Sequence, residues 1–118
     1  MTYIDKLNEL STWDYLVKGY DSATRTLVIQ GSHDFTYGIS LSITLTNVLH
    51  MDCPFRFSHA QFREITEQEQ DTLSKRLGNI SKMKVKLCIQ AQPPFHTSQD
   101  ADFFILAGGI EVEEVDEK

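Results

Sequence analysis

The sequence predicts a single α+β domain over residues 1–118, with a mainly antiparallel sheet of about 5–7 strands and one or two helices packed on one face. The chain is 41% hydrophobic and 24% charged, a composition that suits one buried core. Apolar and hydroxyl residues alternate without a break over residues 39–46, as expected of a strand with one buried and one solvated face. Parallel sheets covered on both faces read instead as continuous apolar runs, so the alternation favours an antiparallel sheet.

The first half of the chain contains a short predicted helix and three predicted strands. Residues 2–10 are assigned to the helix because Thr2 and Asp5 approximate a capping box. Residues 13–20 and 25–30 are rich in aromatic and β-branched side chains and flank a polar turn, so we expect a hairpin. The third strand is the alternating segment already described.

The second half contains the clearest predicted helix, over residues 66–77. Thr66 and Glu69 form a T-x-x-E capping box, and a glycine follows the last turn. Residues 55–57 are a short strand segment before this helix. Three strands follow it, at 83–90, 102–107 and 110–113. The predicted order is therefore helix, three strands, a short fourth strand, helix and three strands.

The charge and the lack of long apolar runs exclude several classes of partner. The formal net charge is −6, which argues against nucleic acid and anionic membranes, since both attract basic surfaces. No run approaches the roughly 20 apolar residues of a membrane span, and the start of the chain has no secretory-signal pattern. We therefore expect a cytoplasmic protein, free thiols at Cys53 and Cys88, and a basic protein as the natural partner.

No motif for catalysis, phosphate binding or a dinucleotide is present, so we assign no catalytic residue and no cofactor. A loose group of metal-capable side chains occurs at His50, Asp52, Cys53 and His59. A structural zinc site needs four ligands in two tight pairs, and no second Cys/His pair accompanies this group. We therefore assign no metal site.

Ser32, His33 and Asp34 place a hydroxyl, an imidazole and a carboxylate in one predicted loop. Adjacent residues rarely point at one another, so a polar turn with an exposed histidine is the simpler interpretation. The alternative is a small enzyme or ligand-binding domain with a pocket near His33, Asp34, Tyr37 and His50.

Acidic residues crowd the C-terminus, and two aromatic residues occupy the loop that contains His33. We predict that these residues form a partner-binding surface, with carboxylates at Glu111, Glu113, Glu114 and Asp116 and aromatic rings at Phe35 and Tyr37. In the competing interpretation, the basic residues between 75 and 86 offset the acidic ones on a solvated sheet face.

Together these features favour a non-catalytic cytosolic module that binds another protein through an acidic edge. In size and charge the chain is similar to the small cognate inhibitors, or immunity proteins, that neutralise bacterial toxins. Two other hypotheses remain open. One is the small enzyme or ligand-binding domain, and the other is a structural subunit that forms homo-oligomers through an uncovered strand edge.

Overall fold

The computed structural model describes residues 3–36, 38–92 and 101–115. It has two helices, α1 (Tyr3–Glu9) and α2 (Glu67–Leu77). The strands are β1 (Asp14–Asp21), β2 (Thr26–Ser32), β3 (Leu41–Thr46), β4 (His50–Met51), β5 (Arg56–Glu64), β6 (Val85–Gln92), β7 (Ala101–Ala107) and β8 (Gly109–Glu114). The predicted α+β class is confirmed. The described residues contain eight strands rather than five to seven, because the two-residue strand β4 carries no alternation that a sequence could reveal.

All strands pair antiparallel in one sheet, in the order β4-β7-β6-β5-β1-β2-β3-β8. The two strands at the ends of this order, β4 and β8, are each joined to another strand by a very short connection. Only Gly108 separates β7 from β8, and three residues separate β3 from β4. β3 and β4 thus form one long bent strand, which pairs along its length with a second bent strand made of β7 and β8. The sheet therefore closes into a barrel-like shell, in which bent strands pass from one side to the other.

The two long strands bend together at Asn47 and Gly108. The backbone N–H of Gly108 donates to the carbonyl oxygens of Thr46 at 2.9 Å and Asn47 at 3.2 Å. Asn47 adopts φ 54°, in the left-handed region that asparagine tolerates better than most residues. A Cβ at residue 108 would lie 2.9 Å from the Asn47 Cβ, so glycine is required there by close approach.

A second bend lies within β5 at His59, which has φ 53°. Residues 56–58 of β5 pair with β1, and β5 pairs with β6 from Ser58 onward, with a register shift between Ser58 and Gln61. The extra residue interrupts the alternation of buried and exposed positions. This interruption explains why the sequence predicts only the short segment 55–57, whereas the strand continues to Glu64.

The main core fills the inside of the shell, and α1 covers its open side. Leu7 of α1 is fully buried in the same cluster as Tyr15, Ile43 and Ile105. The Asn8 side chain fixes α1 to β5, because its amide donates to the Phe62 carbonyl at 2.9 Å and its oxygen accepts from the Phe62 N–H at 3.0 Å. Such pairing of both backbone groups aligns the helix with the strand.

Helix α2 packs on the outside of β7. Leu73 clusters with Ile80 and Leu106, whereas the neighbouring Ile105 belongs to the interior cluster. Successive strand residues face opposite sides, so α1 and α2 lie on opposite faces of the sheet rather than on one. The second half of β7, residues 105–107, is buried on both faces, as its apolar run predicts.

Several local predictions are confirmed. The capping box of α2 is present, with the Glu69 N–H donating to the Thr66 hydroxyl at 3.1 Å and the Thr66 N–H donating to the Glu69 carboxylate at 2.8 Å. The apolar residues of β3 are fully buried. Ile39 lies before the strand and is only half-buried, contrary to the prediction for 39–46. Cys53 and Cys88 are buried free thiols.

Replacing Gly108 by alanine should destabilise the protein by about 1–3 kcal/mol, because the added methyl group overlaps Asn47 at the bend. Gly19→Ala is the matched control, since a Cβ there meets nothing within 4 Å. The control should leave the free energy of unfolding unchanged or slightly raised. Urea unfolding of both variants tests this, and equal stabilities would contradict the steric role of Gly108.

Candidate partner-binding surface

One end of the shell brings together segments that are distant in sequence. The register pairs Asp14 at the start of β1 with Ser32 at the end of β2. It also pairs Leu41 at the start of β3 with Glu114 at the end of β8. The loop between β2 and β3 therefore lies beside both the entry to β1 and the acidic end of β8. We call this surface the acidic end, and its described members are Trp13, Asp14, His33, Asp34, Phe35, Glu113 and Glu114.

The most exposed large ring at the acidic end is Trp13, whose exposed fraction is 63%. Its ring meets that of His33 edge to face, with centroids 5.5 Å apart and an interplanar angle of 87°. The Trp13 carbonyl accepts the His59 N–H at 2.9 Å, so the backbone at this position is held at the bend of β5. A fixed backbone beneath an exposed indole limits the entropy lost when a partner covers the ring.

Residues below Trp13 anchor the segment further. Thr12 is buried, and its N–H donates to the Tyr15 hydroxyl at 3.0 Å while its own hydroxyl donates to the Asp14 carbonyl at 3.1 Å. Gly31 provides the space, because a Cβ there would lie 2.6 Å from the Thr12 hydroxyl oxygen. Trp13 therefore projects from a rigid base. The sequence interpretation missed Trp13 as a surface residue, because the ring lies just before β1 and no alternation includes it.

The loop after β2 forms the predicted polar turn. The buried Ser32 hydroxyl donates to the Gly38 carbonyl and accepts from the Asp34 N–H at 3.0 Å. The Asp34 carboxylate accepts from the Thr36 N–H at 2.9 Å, which closes a turn typical of aspartate. His33 and Asp34 are exposed and Phe35 is half-buried, whereas Tyr37 lies outside the described residues.

The carboxylates of the acidic end remain uncompensated. Among the described residues, Asp14, Asp34, Glu113 and Glu114 are exposed and form no ion pair. Glu111 is also exposed and shares a face of β8 with Glu113, opposite Thr44 and Ser42, whereas Glu114 points to the other face. Asp116 lies outside the described residues.

The basic residues do not offset these carboxylates. Lys86 donates to the Gln70 side chain at 3.0 Å and contacts no carboxylate of β8. Arg25, Lys82 and Lys84 line a groove of about 400 Å³ next to the Asn47 bend, at the opposite end of β2 from Ser32. These basic residues therefore lie away from the carboxylates of β8, so the interpretation of a mutually compensated face fails for them.

The residues of the predicted alternative pocket do not lie together in the structure. His33 precedes β3 and His50 follows it, and a strand of six residues spans roughly 20 Å. His50 instead lies beside Asp52, with 3.7 Å between its Nε2 and the carboxylate Oδ2, and this nitrogen has no hydrogen-bond partner among the described residues. His33 and Asp34 are neighbours in the loop after β2, and the structure places His50 elsewhere.

A separate polar cluster joins the start of α2 to the outside of the sheet. Arg63 of β5 holds Glu69 with two hydrogen bonds, at 2.7 and 2.9 Å, and lies 3.8 Å from Asp102. Three atoms that could serve as metal ligands, one each from Glu69, Cys88 and Asp102, lie within 4.8 Å of one another. Burial raises the pKa of Cys88 to about 11, so its thiol is neutral near pH 7. The Arg63 guanidinium already supplies the positive charge that balances these carboxylates, so a metal ion is not needed for that purpose. The Arg63–Glu69 pair also ties the start of α2 to β5, and we call this pair the Arg63–Glu69 latch.

Comparison of the chain with protein-family models, curated proteins and solved structures found no match. Neither helix in the described part of the chain combines the length and apolar character needed to cross a bilayer.

The Arg63–Glu69 latch should make stability sensitive to acid. Hydrogen bonding by Arg63 lowers the pKa of Glu69 from 4.5 to about 2. The stabilisation is therefore present above the unfolded pKa of 4.5 and is lost as the pH falls through about 2. Glu69→Gln should lower stability near neutral pH and flatten its fall below pH 4.5, whereas Glu67→Gln should keep the wild-type profile. Urea unfolding across this pH range measures both, and identical profiles would contradict the latch.

Proposed function

We propose that this protein is a non-catalytic module that binds a basic protein partner through the acidic end. The observation that carries the proposal is the exposed ring of Trp13 among carboxylates that no described residue compensates. Tryptophan is enriched among the residues that dominate interface energies, because it buries a large area with few rotatable bonds. Exposed carboxylates around it accelerate the approach of a positively charged partner.

Two further features support a protein rather than a nucleic acid as the partner. The net charge of −6 repels phosphate backbones at a distance. The basic groove at Arg25, Lys82 and Lys84 lies at the other end of the shell, so it does not interrupt the acidic end. A partner with a basic cleft or loop therefore fits the charge distribution best.

A cognate inhibitor, or immunity protein, is the specific type we favour. Such a protein neutralises its target by covering a functional surface, and it needs a rigid complementary face rather than catalytic groups. The anchored base beneath Trp13 and the hydrogen-bonded turn at Ser32 and Asp34 meet that need.

Reversing one charge at the acidic end should slow association with the partner several-fold at low salt. Glu113→Lys removes an attraction that solvent screens, so the effect should shrink at high salt, where the screening length falls to about 3 Å. Asp71→Lys on α2 is the matched control, because it changes the net charge equally on an exposed site away from this surface. The test is capture of the partner from an extract of the native host, followed by stopped-flow association with the purified partner. Equal rates for both variants would contradict charge-guided binding.

Removing the exposed indole should weaken the complex at least tenfold. Trp13→Ala deletes the ring that, in our proposal, inserts into the partner. Truncating such central interface residues typically costs about 2 kcal/mol or more of binding free energy. Phe55→Ala is the control, since Phe55 is 78% exposed but lies at the Val17 position along β1, not at the acidic end. Isothermal titration with the captured partner compares the two. A larger loss for Phe55→Ala would move the interface away from Trp13.

A further inference from the structure

The basic groove at the other end of the shell brings three cations together. Arg25, Lys82 and Lys84 line a space of about 400 Å³ next to the Asn47 bend, and the lining that the structure describes includes no carboxylate. None of the three forms an ion pair with a described residue. The groove therefore concentrates positive charge locally in a protein whose net charge is −6.

The backbone of Arg25 adopts a conformation that arginine disfavours. Its φ is 54°, in the left-handed region where glycine and asparagine are the usual residues. The Arg25 carbonyl accepts the Val48 N–H at 3.0 Å, so this turn is tied to the bend beside Asn47. Residues held in such strained conformations concentrate at functional sites. An unpaired guanidinium on a strained backbone is typical of a residue that acts in binding rather than in stability.

Lys82 and Lys84 lie on a short connection whose backbone is held in place. Met83, between them, is half-buried and packs against the outer cluster that contains Ile80. The Met83 N–H also donates to the Ile80 carbonyl at 3.0 Å, and Ile80 is buried. Two ammonium groups are thus positioned at the groove before a ligand arrives, which reduces the entropy lost on binding.

The charge of the basic groove favours a ligand with two linked phosphate groups. A guanidinium pairs with phosphate oxygens through two parallel N–H donors, and ammonium groups bind these oxygens as point charges. Two linked phosphates carry about three negative charges near pH 7, which matches the three cations. A single carboxylate or phosphate would leave part of this positive charge unpaired.

An exposed apolar side chain indicates that the ligand has an organic part. Leu49 lines the same groove and is 54% exposed, and Met83 lies in the lining as well. Phosphate groups gain nothing from apolar contacts, whereas the organic part of a diphosphate ester would cover Leu49. The groove also falls within the roughly 300–1,000 Å³ that is usual for small-molecule sites.

The acidic end does not keep a small anion away from the basic groove. β2 has seven residues and spans roughly 23 Å between the turn that contains Arg25 and Ser32. Exposed charges are screened over about 8 Å at physiological ionic strength, so the three cations determine the potential inside the groove. A long nucleic acid would extend beyond the groove toward acidic surfaces, whereas a small ligand would not.

We propose that the basic groove binds a small organic diphosphate. Arg25, Lys82 and Lys84 hold the two phosphate groups, and Leu49 contacts the organic part. The site shares no residue with the acidic end, so this inference goes beyond the proposed function and does not rest on it.

Isothermal titration of the full chain with three probes, in buffer without divalent metal ions, tests this site. Inorganic pyrophosphate should bind about tenfold more tightly than inorganic phosphate, because it pairs with more of the cations. Adenosine diphosphate should bind about threefold more tightly than pyrophosphate, because its organic part adds apolar contact. The reverse order of the two diphosphates would overturn the organic part, and no binding of either at millimolar concentration would overturn the site.

Lys82→Gln/Lys84→Gln should weaken binding of pyrophosphate about tenfold or more, because two of the three cations are lost. Lys6→Gln/Arg56→Gln is the matched control, since it removes two exposed positive charges from α1 and from the start of β5. The control should leave binding within about twofold. Equal weakening by both pairs would indicate general charge attraction and would overturn a specific site.

Arg25→Asn separates binding from folding. Asparagine tolerates the left-handed backbone better, so the midpoint of urea unfolding should stay unchanged or rise. Binding of pyrophosphate should weaken about fivefold or more, because the bidentate donor is lost. A lower midpoint with unchanged binding would show that Arg25 acts in stability and would overturn its role in the site.

Leu49→Ala tests the contact with the organic part. It should weaken binding of adenosine diphosphate about threefold and leave binding of pyrophosphate within about twofold. Equal effects on both ligands would contradict the contact. A peptide of six glutamates tests the other anionic occupant, and tighter binding of this peptide than of either diphosphate would overturn the proposal in favour of an acidic protein segment.

Discussion

The close crossing of two backbones at Asn47 and Gly108 is the constraint on which the rest of this fold depends. At this point the bent strand β3–β4 and the bent strand β7–β8 turn together, with the Gly108 N–H bonded to the carbonyls of Thr46 and Asn47. The absence of a side chain at Gly108 lets the two chains approach. Because both strands turn at the same place, their pairing continues on either side, and the sheet closes around one core.

Closure also determines where the remaining elements can pack. The shell is open on one side between β5 and β8, and α1 fills this gap with Leu7 in the core and Asn8 bonded to Phe62. Helix α2 finds its apolar surface outside β7, where Leu106 faces away from the interior. The capping box and the Arg63 latch hold α2 in place independently of the acidic end. Substitutions on α2 are therefore informative controls for substitutions at the acidic end.

The same closure places the acidic end and the groove at Arg25, Lys82 and Lys84 at opposite ends of the shell. Antiparallel strands return their termini alternately to either end of the shell. This places Glu113 and Glu114 at the same end as Trp13, and it places Arg25 and Lys84 in one groove at the other end. A charge separation of this kind orients an approaching charged molecule before contact.

Much of the local structure could be predicted from the sequence, because it depends on residues close together in the chain. The alternation in β3 indicates a strand with one buried face, and the apolar run of β7 indicates a strand buried on both faces. The capping box at Thr66 and Glu69 indicates the start of a helix. The polar turn at Ser32 and Asp34 belongs to the same class. The basic partner inferred from the net charge of −6 stays a prediction.

The tertiary structure alone decided which distant residues meet. The bend at His59 shifts the alternation of buried and exposed residues in β5, so most of this strand could not be predicted from the sequence. Strand β4 has only two residues, which are too few to show an alternation. The exposure of Trp13 depends on Thr12 and Tyr15 packing against Gly31 from another strand. The separation of His50 from His33 follows from the length of β3 between them. Local sequence specifies what each segment prefers, but strand closure is a long-range constraint that assigns those segments to the inside, the outside or the acidic end.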